Sequence, residues 1–214
     1  MKDLSKLLLL LFLGFAFLGP SVQSLAGYKA RDWSPGTRET YAARLTSEGV
    51  TIAAEPLFTD ALAARLFDKK DIVARGIMPL AIVIFNDNDY SIEVDPLSIE
   101  LVRGDERYRS LMPDEAVSRV YAKEKSMLSG SRAKAVNEEA LEDFSAKFLK
   151  DDTIPPHGVA AGFIYIRIYN PKDLLDYLST AAVYIPNIYR GDDGSRMIYF
   201  EIDLKTALKV TKQD

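Results

Sequence analysis

The stretch Gly76 to Val102, GIMPLAIVIFNDNDYSIEVDPLSIELV, decides the fold class. From Ile77 to Phe85 apolar residues fill both parities: Ile77, Ala81, Val83 and Phe85 on one, Met78, Leu80, Ile82 and Ile84 on the other. A strand that is apolar on both sides is a central strand covered on both faces. The Asn86-Asp87-Asn88-Asp89 cluster then offers side chains that tolerate positive φ and bond their own backbone, which predicts a hairpin turn. Ile92 and Val94 alternate with polar residues on the way back. Beyond Asp95-Pro96 the apolar set changes parity to Leu97, Ile99 and Leu101, so a bulge or break is expected at Pro96, which cannot donate to a ladder.

Working outward, further strand patterns flank this core. Val50 and Ile52 give a short strand before Pro56, and Leu57 to Asp71 reads as a short helix or an irregular strand. On the C-terminal side, Gly158 to Tyr169 sets Ile164, Ile166 and Ile168 against Phe163, Tyr165, Arg167 and Tyr169, an aliphatic face and an aromatic one. Val183, Ile185 and Ile188 form the next strand. A turn at Gly191-Asp192-Asp193-Gly194 returns the chain as Ile198, Phe200, Ile202 and Leu204, a predicted hairpin. Between the halves, Pro113-Asp114-Glu115 starts a helix, with proline in its first turn and acids at the positive end of its dipole. Leu141, Phe144, Phe148 and Leu149 mark a second, amphipathic helix with Asn137 as its expected N-cap. The whole predicts a mainly β, α+β chain: an immunoglobulin-like antiparallel β-sandwich with a helical insertion around 113–150.

With 214 residues and 48% hydrophobic content, the chain suffices for one cored domain, expected at residues 49–208 and followed by a short polar tail at 209–214. Lys2 and Lys6 precede the apolar block Leu7 to Leu18, which Gly19-Pro20 ends before the small residues Ser21, Ser24 and Ala26. Residues 1–26 therefore read as a secretory signal peptide, too short in its apolar part for the roughly 20 residues of a spanning helix. A periplasmic or secreted destination follows. Membrane association would then come only through an uncleaved signal or a partner. Residues 27–48, polar and holding the sole tryptophan, Trp33, read as a tether, with docking on the domain the preferred role for that ring.

The chain has no cysteine, which removes disulfides, thiolate nucleophiles and zinc-thiolate sites. Without an Asn-x-Ser/Thr acceptor as well, the composition leans toward a bacterial envelope. The net charge of −4 becomes −5 once Lys2, Lys6 and Asp3 are removed, which argues against a nucleic-acid partner or a polybasic membrane patch.

Candidates for chemistry are few. His157, the sole histidine, stands in a Pro-rich loop with no nucleophile assignable by spacing. Asp87, Asp89, Glu93 and Asp95 could offer oxygen ligands to calcium, but the spacing lacks the loop glycine and the terminal glutamate, so turn chemistry is preferred. Arg119, Lys123, Lys125, Arg132 and Lys134, followed by Glu138, Glu139, Glu142 and Asp143, read as a solvated helical hairpin rather than an anion site. No catalytic, cofactor or metal residue is nominated. The better clue is aromatic: Tyr165, Tyr169, Tyr184 and Tyr199, with Trp33, form a candidate interaction face if the face opposite the isoleucines is exposed. If Leu141, Phe144 and Phe148 pack on it, it is core edge instead.

Leu25-Ala26-Gly27, which resembles a lipobox but with Tyr28 where the lipidated cysteine would stand, joins other structural motifs: Phe85-Asn86 closing a strand, and Pro155-Pro156-His157-Gly158 leading to Gly162-Phe163. Together they resemble uncharacterised bacterial lipoprotein-type envelope proteins with an immunoglobulin-like fold. The resemblance implies a fold and an envelope address and carries no catalytic residue. Without a sulfur at position 28, this chain cannot take the thioether-linked lipid. The expected function is a non-catalytic adaptor that binds an envelope protein. The alternative is a small-ligand or glycan carrier using the Tyr-rich face, and an envelope hydrolase ranks third.

Overall fold

The computed structural model describes residues 28–122 and 130–210; the signal-peptide reading, the Leu25-Ala26-Gly27 motif and residues 211–214 lie outside them. In chain order the elements are β1 (Arg44–Ser47), β2 (Val50–Pro56), α1 (Asp60–Ala63), β3 (Ile77–Asn86), β4 (Ile92–Val94), β5 (Glu100–Arg103), β6 (Glu106–Leu111), α2 (Pro113–Val120) and α3 (Gly130–Lys147). They continue with β7 (Thr153–Ile154), β8 (Val159–Arg167), α4 (Leu174–Leu178), β9 (Ala182–Ile185), β10 (Ile188–Arg190), β11 (Phe200–Asp203) and α5 (Ala207–Val210). The larger sheet runs β1-β2-β3-β8-β6-β5-β9-β11 and the smaller β10-β4-β7, with antiparallel pairing throughout. The outermost strands of the larger sheet, β1 and β11, lie against each other, so the sheet curls almost into a barrel. The protein is mostly β with a few helices, an α+β arrangement.

Strand β3 is the central strand that its two-sided apolar pattern predicts. All ten of its residues are buried, and it pairs with β2 through Ile82↔Ala54 and with β8 through Ile82↔Gly162. Pro79 is accommodated because its carbonyl accepts from Leu57 just beyond the end of β2, so the N–H it lacks would have faced a position where that strand has already ended.

The expected hairpin after β3 does not form. Instead β4 leaves for the smaller sheet, where it pairs with β10 and β7. Asn86, 1% exposed, fastens the two sheets where they part. Its Nδ2 donates to the carbonyls of Tyr90 (2.8 Å), Ile154 (3.2 Å) and Pro155 (3.0 Å), and its Oδ1 accepts from the Asn88 amide at 3.1 Å. The parity change at Pro96 is real and has this cause: a 3-10 turn at Pro96–Ser98, capped by Asp95 Oδ1 accepting from Leu97 N at 2.9 Å, carries the chain from the smaller sheet back to the larger as β5. Further on, β9 and β11 pair as predicted through Val183↔Ile202, while Ile188 belongs to β10 in the other sheet. The segment after Leu57 resolves into the single turn α1, with Thr59 Oγ1 accepting from Leu62 N.

Helix α2 starts at Pro113 as predicted, and the Glu115 carboxylate accepts from Met112 N at 3.0 Å. Helix α3 begins at Gly130, which leaves Asn137 inside the helix rather than at its cap. The chain leaving α3 crosses β8 at very short range: a Cβ at Gly162 would stand 2.5 Å from the Leu149 backbone, so only glycine fits there. Leu149 N donates to the Phe163 carbonyl at that crossing, at 3.0 Å.

Candidate functional site

The predicted aromatic face is divided by its covering. Tyr165 is fully buried in β8 and cannot contribute to an exposed face. Its ring packs on Phe144 (5.0 Å between centroids) and Phe148 (6.1 Å), and its hydroxyl donates to the Phe144 carbonyl at 2.7 Å. Burial, with the Asp143 carboxylate nearby, holds that phenol well above its ordinary pKa. Trp33 is docked against Phe163 at 4.7 Å, as preferred for it. Tyr169, just past the end of β8, is 67% exposed, and Tyr199 is 53% exposed.

Where the cover ends, Tyr169 and Arg167 meet residues that periodicity alone did not bring together with them. Tyr108 on β6 stands between Tyr169 (5.9 Å) and Tyr177 of α4 (5.6 Å, edge to face). The Arg167 guanidinium lies over Tyr169 at 4.7 Å and that of Arg103 over Tyr177 at 5.0 Å. These five side chains, with Glu106, Asn170 and Asp173, line a pocket of about 220 Å³. Each element has a local reason to be there. The β5–β6 turn at Gly104, with φ +55°, brings Arg103 opposite Glu106, and a 3-10 turn at Pro171–Asp173 turns the chain after β8 into α4. Burial raises the Tyr177 phenol above its ordinary value, and Tyr108 and Glu106 add to the effect. Tyr177 therefore presents a neutral hydroxyl across the physiological range.

Arg103 also borders a second depression on the outer face of the same strands, where Arg107 lies over Tyr184 (5.2 Å) and Tyr184 meets Tyr199 (5.9 Å). Arg103 lines both depressions, so the Tyr108, Tyr169 and Tyr177 cluster and the Tyr184–Tyr199 pair flank the β5–β6 hairpin on its two faces, an interrupted strip of tyrosines and arginines. Such a surface can take flat apolar or aromatic groups on its rings and acceptor oxygens on its guanidiniums.

The other candidates resolve differently. His157, with φ +54°, sits in an exposed loop and shares a 2.9 Å hydrogen bond with Asp89. Asp87 pairs with Arg38 at 2.6 Å, and the guanidinium holds its carboxyl below the usual range. Among the described residues, no group of three histidines or carboxylates could hold a metal ion. Of the helical charges, Lys123 and Lys125 lie outside the described residues, as do the side chains of Arg132 and Lys134. Asp143 is not solvated: it is buried in an ion pair with buried Lys147. Tyr28 donates to Asp143 from the N-terminal segment at 2.6 Å, while its amide donates to Glu139 at 2.8 Å.

No protein-family model matches the chain, and no curated protein matches it. Among solved structures, the yjhA protein of Bacillus subtilis aligns at 9% identity over 68% of this chain and 80% of its own, with a TM-score of 0.37. A "putative lipoprotein (ycdA)" of Bacillus subtilis aligns at 10% identity and a TM-score of 0.38, over 79% of this chain but only 41% of that one. A functionally unknown protein of Listeria monocytogenes aligns at 10% identity over 67% of this chain and 70% of its own, with a TM-score of 0.33. At these values the three likenesses carry no argument about what this chain does.

Proposed function

We propose that this protein is an exported, non-catalytic binding module that engages an envelope protein through the tyrosine and arginine strip at the β5–β6 end of its sheet. The observation that carries the reading is the convergence of Tyr108, Tyr169 and Tyr177 with Arg103 and Arg167 around one pocket. Tyrosine and arginine are enriched among the residues that carry binding energy at protein interfaces: tyrosine adds a large contact area at low entropy cost, and arginine adds a planar fork of directional donors. Periplasmic or secreted placement belongs to the same proposal and is supported by the charged and apolar pattern of residues 2–18. So does the immunoglobulin-like description of the sandwich. Its support is β6, which pairs with β8 through Ser110 and Leu111 and with β5 through Glu106 to Arg109, as a strand does on turning a corner between two layers.

A second reading has its own observation. Asn170, Asp173 and Glu106 stand beside three rings in a pocket of about 220 Å³, a mixture of stacking faces and short polar groups that suits a small ligand or a sugar.

Affinity capture from an envelope extract, with the wild-type chain and Arg103→Ala/Tyr169→Ala as baits, tests the leading reading. A stoichiometric partner held by the wild type and lost with the variant is expected. A partner held equally by both baits counts against the strip. Absence of any partner, with saturable quenching of tyrosine fluorescence by a glycan, would transfer the pocket to the second reading.

A further inference from the structure

On the side formed by the helices and the smaller sheet, the molecule carries a groove of about 530 Å³ that the strip does not reach. Its floor is apolar: Leu97 and Met112 are 47% and 44% exposed there, beside half-buried Leu141 and Phe148. Large aliphatic side chains at that exposure, gathered in one concavity, leave apolar area in water that an apolar partner group would cover. The rim has one dominant sign. Asp95, Asp114 and Asp152 border the groove against a single Lys150, and Asp95 and Asp152 continue into an adjoining depression that holds Glu93. Among the described residues, none of these four carboxylates forms a salt bridge. An incoming cation therefore breaks no existing pair.

We propose that this groove docks a cationic amphipathic segment of a partner protein, with the segment's apolar residues on Leu97, Met112 and Phe148 and its lysines or arginines at Asp114, Asp152 and Glu93. Charge complementarity selects this occupant. A second copy of the chain, net −4, would bring like charge to an acidic rim, and an anionic lipid surface would be repelled. The shape of the site fits the mode in which a peptide lays one apolar face into a groove and leaves its charges at the edge. Together with the strip, the groove would give an adaptor two faces of different chemistry.

The test uses the full chain and two labelled peptides, one with leucine and lysine at amphipathic helical spacing and one with glutamate in place of lysine. Fluorescence anisotropy should show saturable binding of the lysine peptide alone, weakened at high salt as the Debye length contracts to about 3 Å. Asp152→Asn should weaken it about threefold and Asp114→Asn/Asp152→Asn about tenfold, in line with exposed ion pairs. Leu97→Ser should weaken it as well, whereas Arg103→Ala/Tyr169→Ala should leave it unchanged. Asp152→Asn is the decisive variant, since among the described residues the exposed Asp152 carboxylate bonds only to the neighbouring Thr153 hydroxyl, and an unchanged urea midpoint should accompany the loss of binding. Equal binding of the two peptides, or wild-type affinity in the charge variants, overturns the proposal. So does a dimer in sedimentation that Leu97→Ser dissolves, which would give the groove to a second copy.

Discussion

Asn86 is the residue on which the two sheets depend. Its amide group donates to three carbonyls where the sheets part, and its oxygen holds the Asn88 turn. Replacing it by alanine removes all of these bonds from a buried site, at a cost of about 1–3 kcal/mol. Asn86→Ala should lower stability by that amount in a urea titration, and a loss below about 0.5 kcal/mol would show that water replaces the amide. Tyr28 makes a comparable point by titration. Burial, then the bond to Asp143 and its charge, raises its pKa above the ordinary 10.0. The folded state thus holds this proton more tightly than the unfolded state does. Its contribution is complete below pH 10.0 and is lost as pH rises beyond that value. In stability measured against pH, Tyr28→Phe should flatten the alkaline decline; an unchanged slope would mean that Tyr28 ionises freely.

At the scale of elements, α3 is anchored by the tight backbone crossing that the chain leaving it makes over Gly162, and it carries within itself a buried ion pair. Lys147 pairs with Asp143 one turn away, and its ammonium lies 5.2 Å from the Phe67 ring centre. Removal of one partner leaves a buried charge alone, so Asp143→Leu should cost about 3–5 kcal/mol. The double variant Asp143→Leu/Lys147→Met should recover most of that loss, because two apolar side chains avoid the desolvation that the pair must overcome. Equilibrium denaturation of the two variants checks this; equal losses would show that the Tyr28 bond, rather than the pair, sets the energetics.

Elements are also where legibility in the sequence varied most. β3 was readable because a strand buried on both faces has no polar parity to mislead. The partner of the next segment was not, because Ile92 and Val94 satisfy a hairpin with β3 and a separate sheet equally well, and only distant β7 and β10 decide between them. Helix α3 outran its expected cap because Arg132, Ala133, Lys134 and Ala135 are good helix formers that continue the helix toward Gly130. On β8, alternation put Phe163 and Tyr165 on one face, where both are buried, while Tyr169 lies past the end of the strand against Tyr108. It could not show that α3 covers the first two and stops short of the third, since that depends on where a helix far along the chain lies. The meeting of Tyr169 and Arg167 with Tyr108, Arg103 and Tyr177 was not legible for the same reason: the last three come from three separate elements, β6, β5 and α4.

At the scale of the molecule, the tyrosines and arginines of the strip border two depressions that meet at Arg103, on either side of the β5–β6 hairpin. Burial against the core accounts for Trp33 and Tyr165 and in part for Tyr108 and Tyr177, and leaves Tyr169, Tyr184 and Tyr199 for another task. That the strip is the partner-binding surface is the central claim. The most direct measurement is photocrosslinking in the native envelope, with a photoreactive phenylalanine at position 169 and, as control, at exposed Leu45 on β1. One discrete adduct from position 169, absent from position 45 and lost when Arg103→Ala is added, is the predicted result. The same adducts from both positions, or none from position 169, would contradict it.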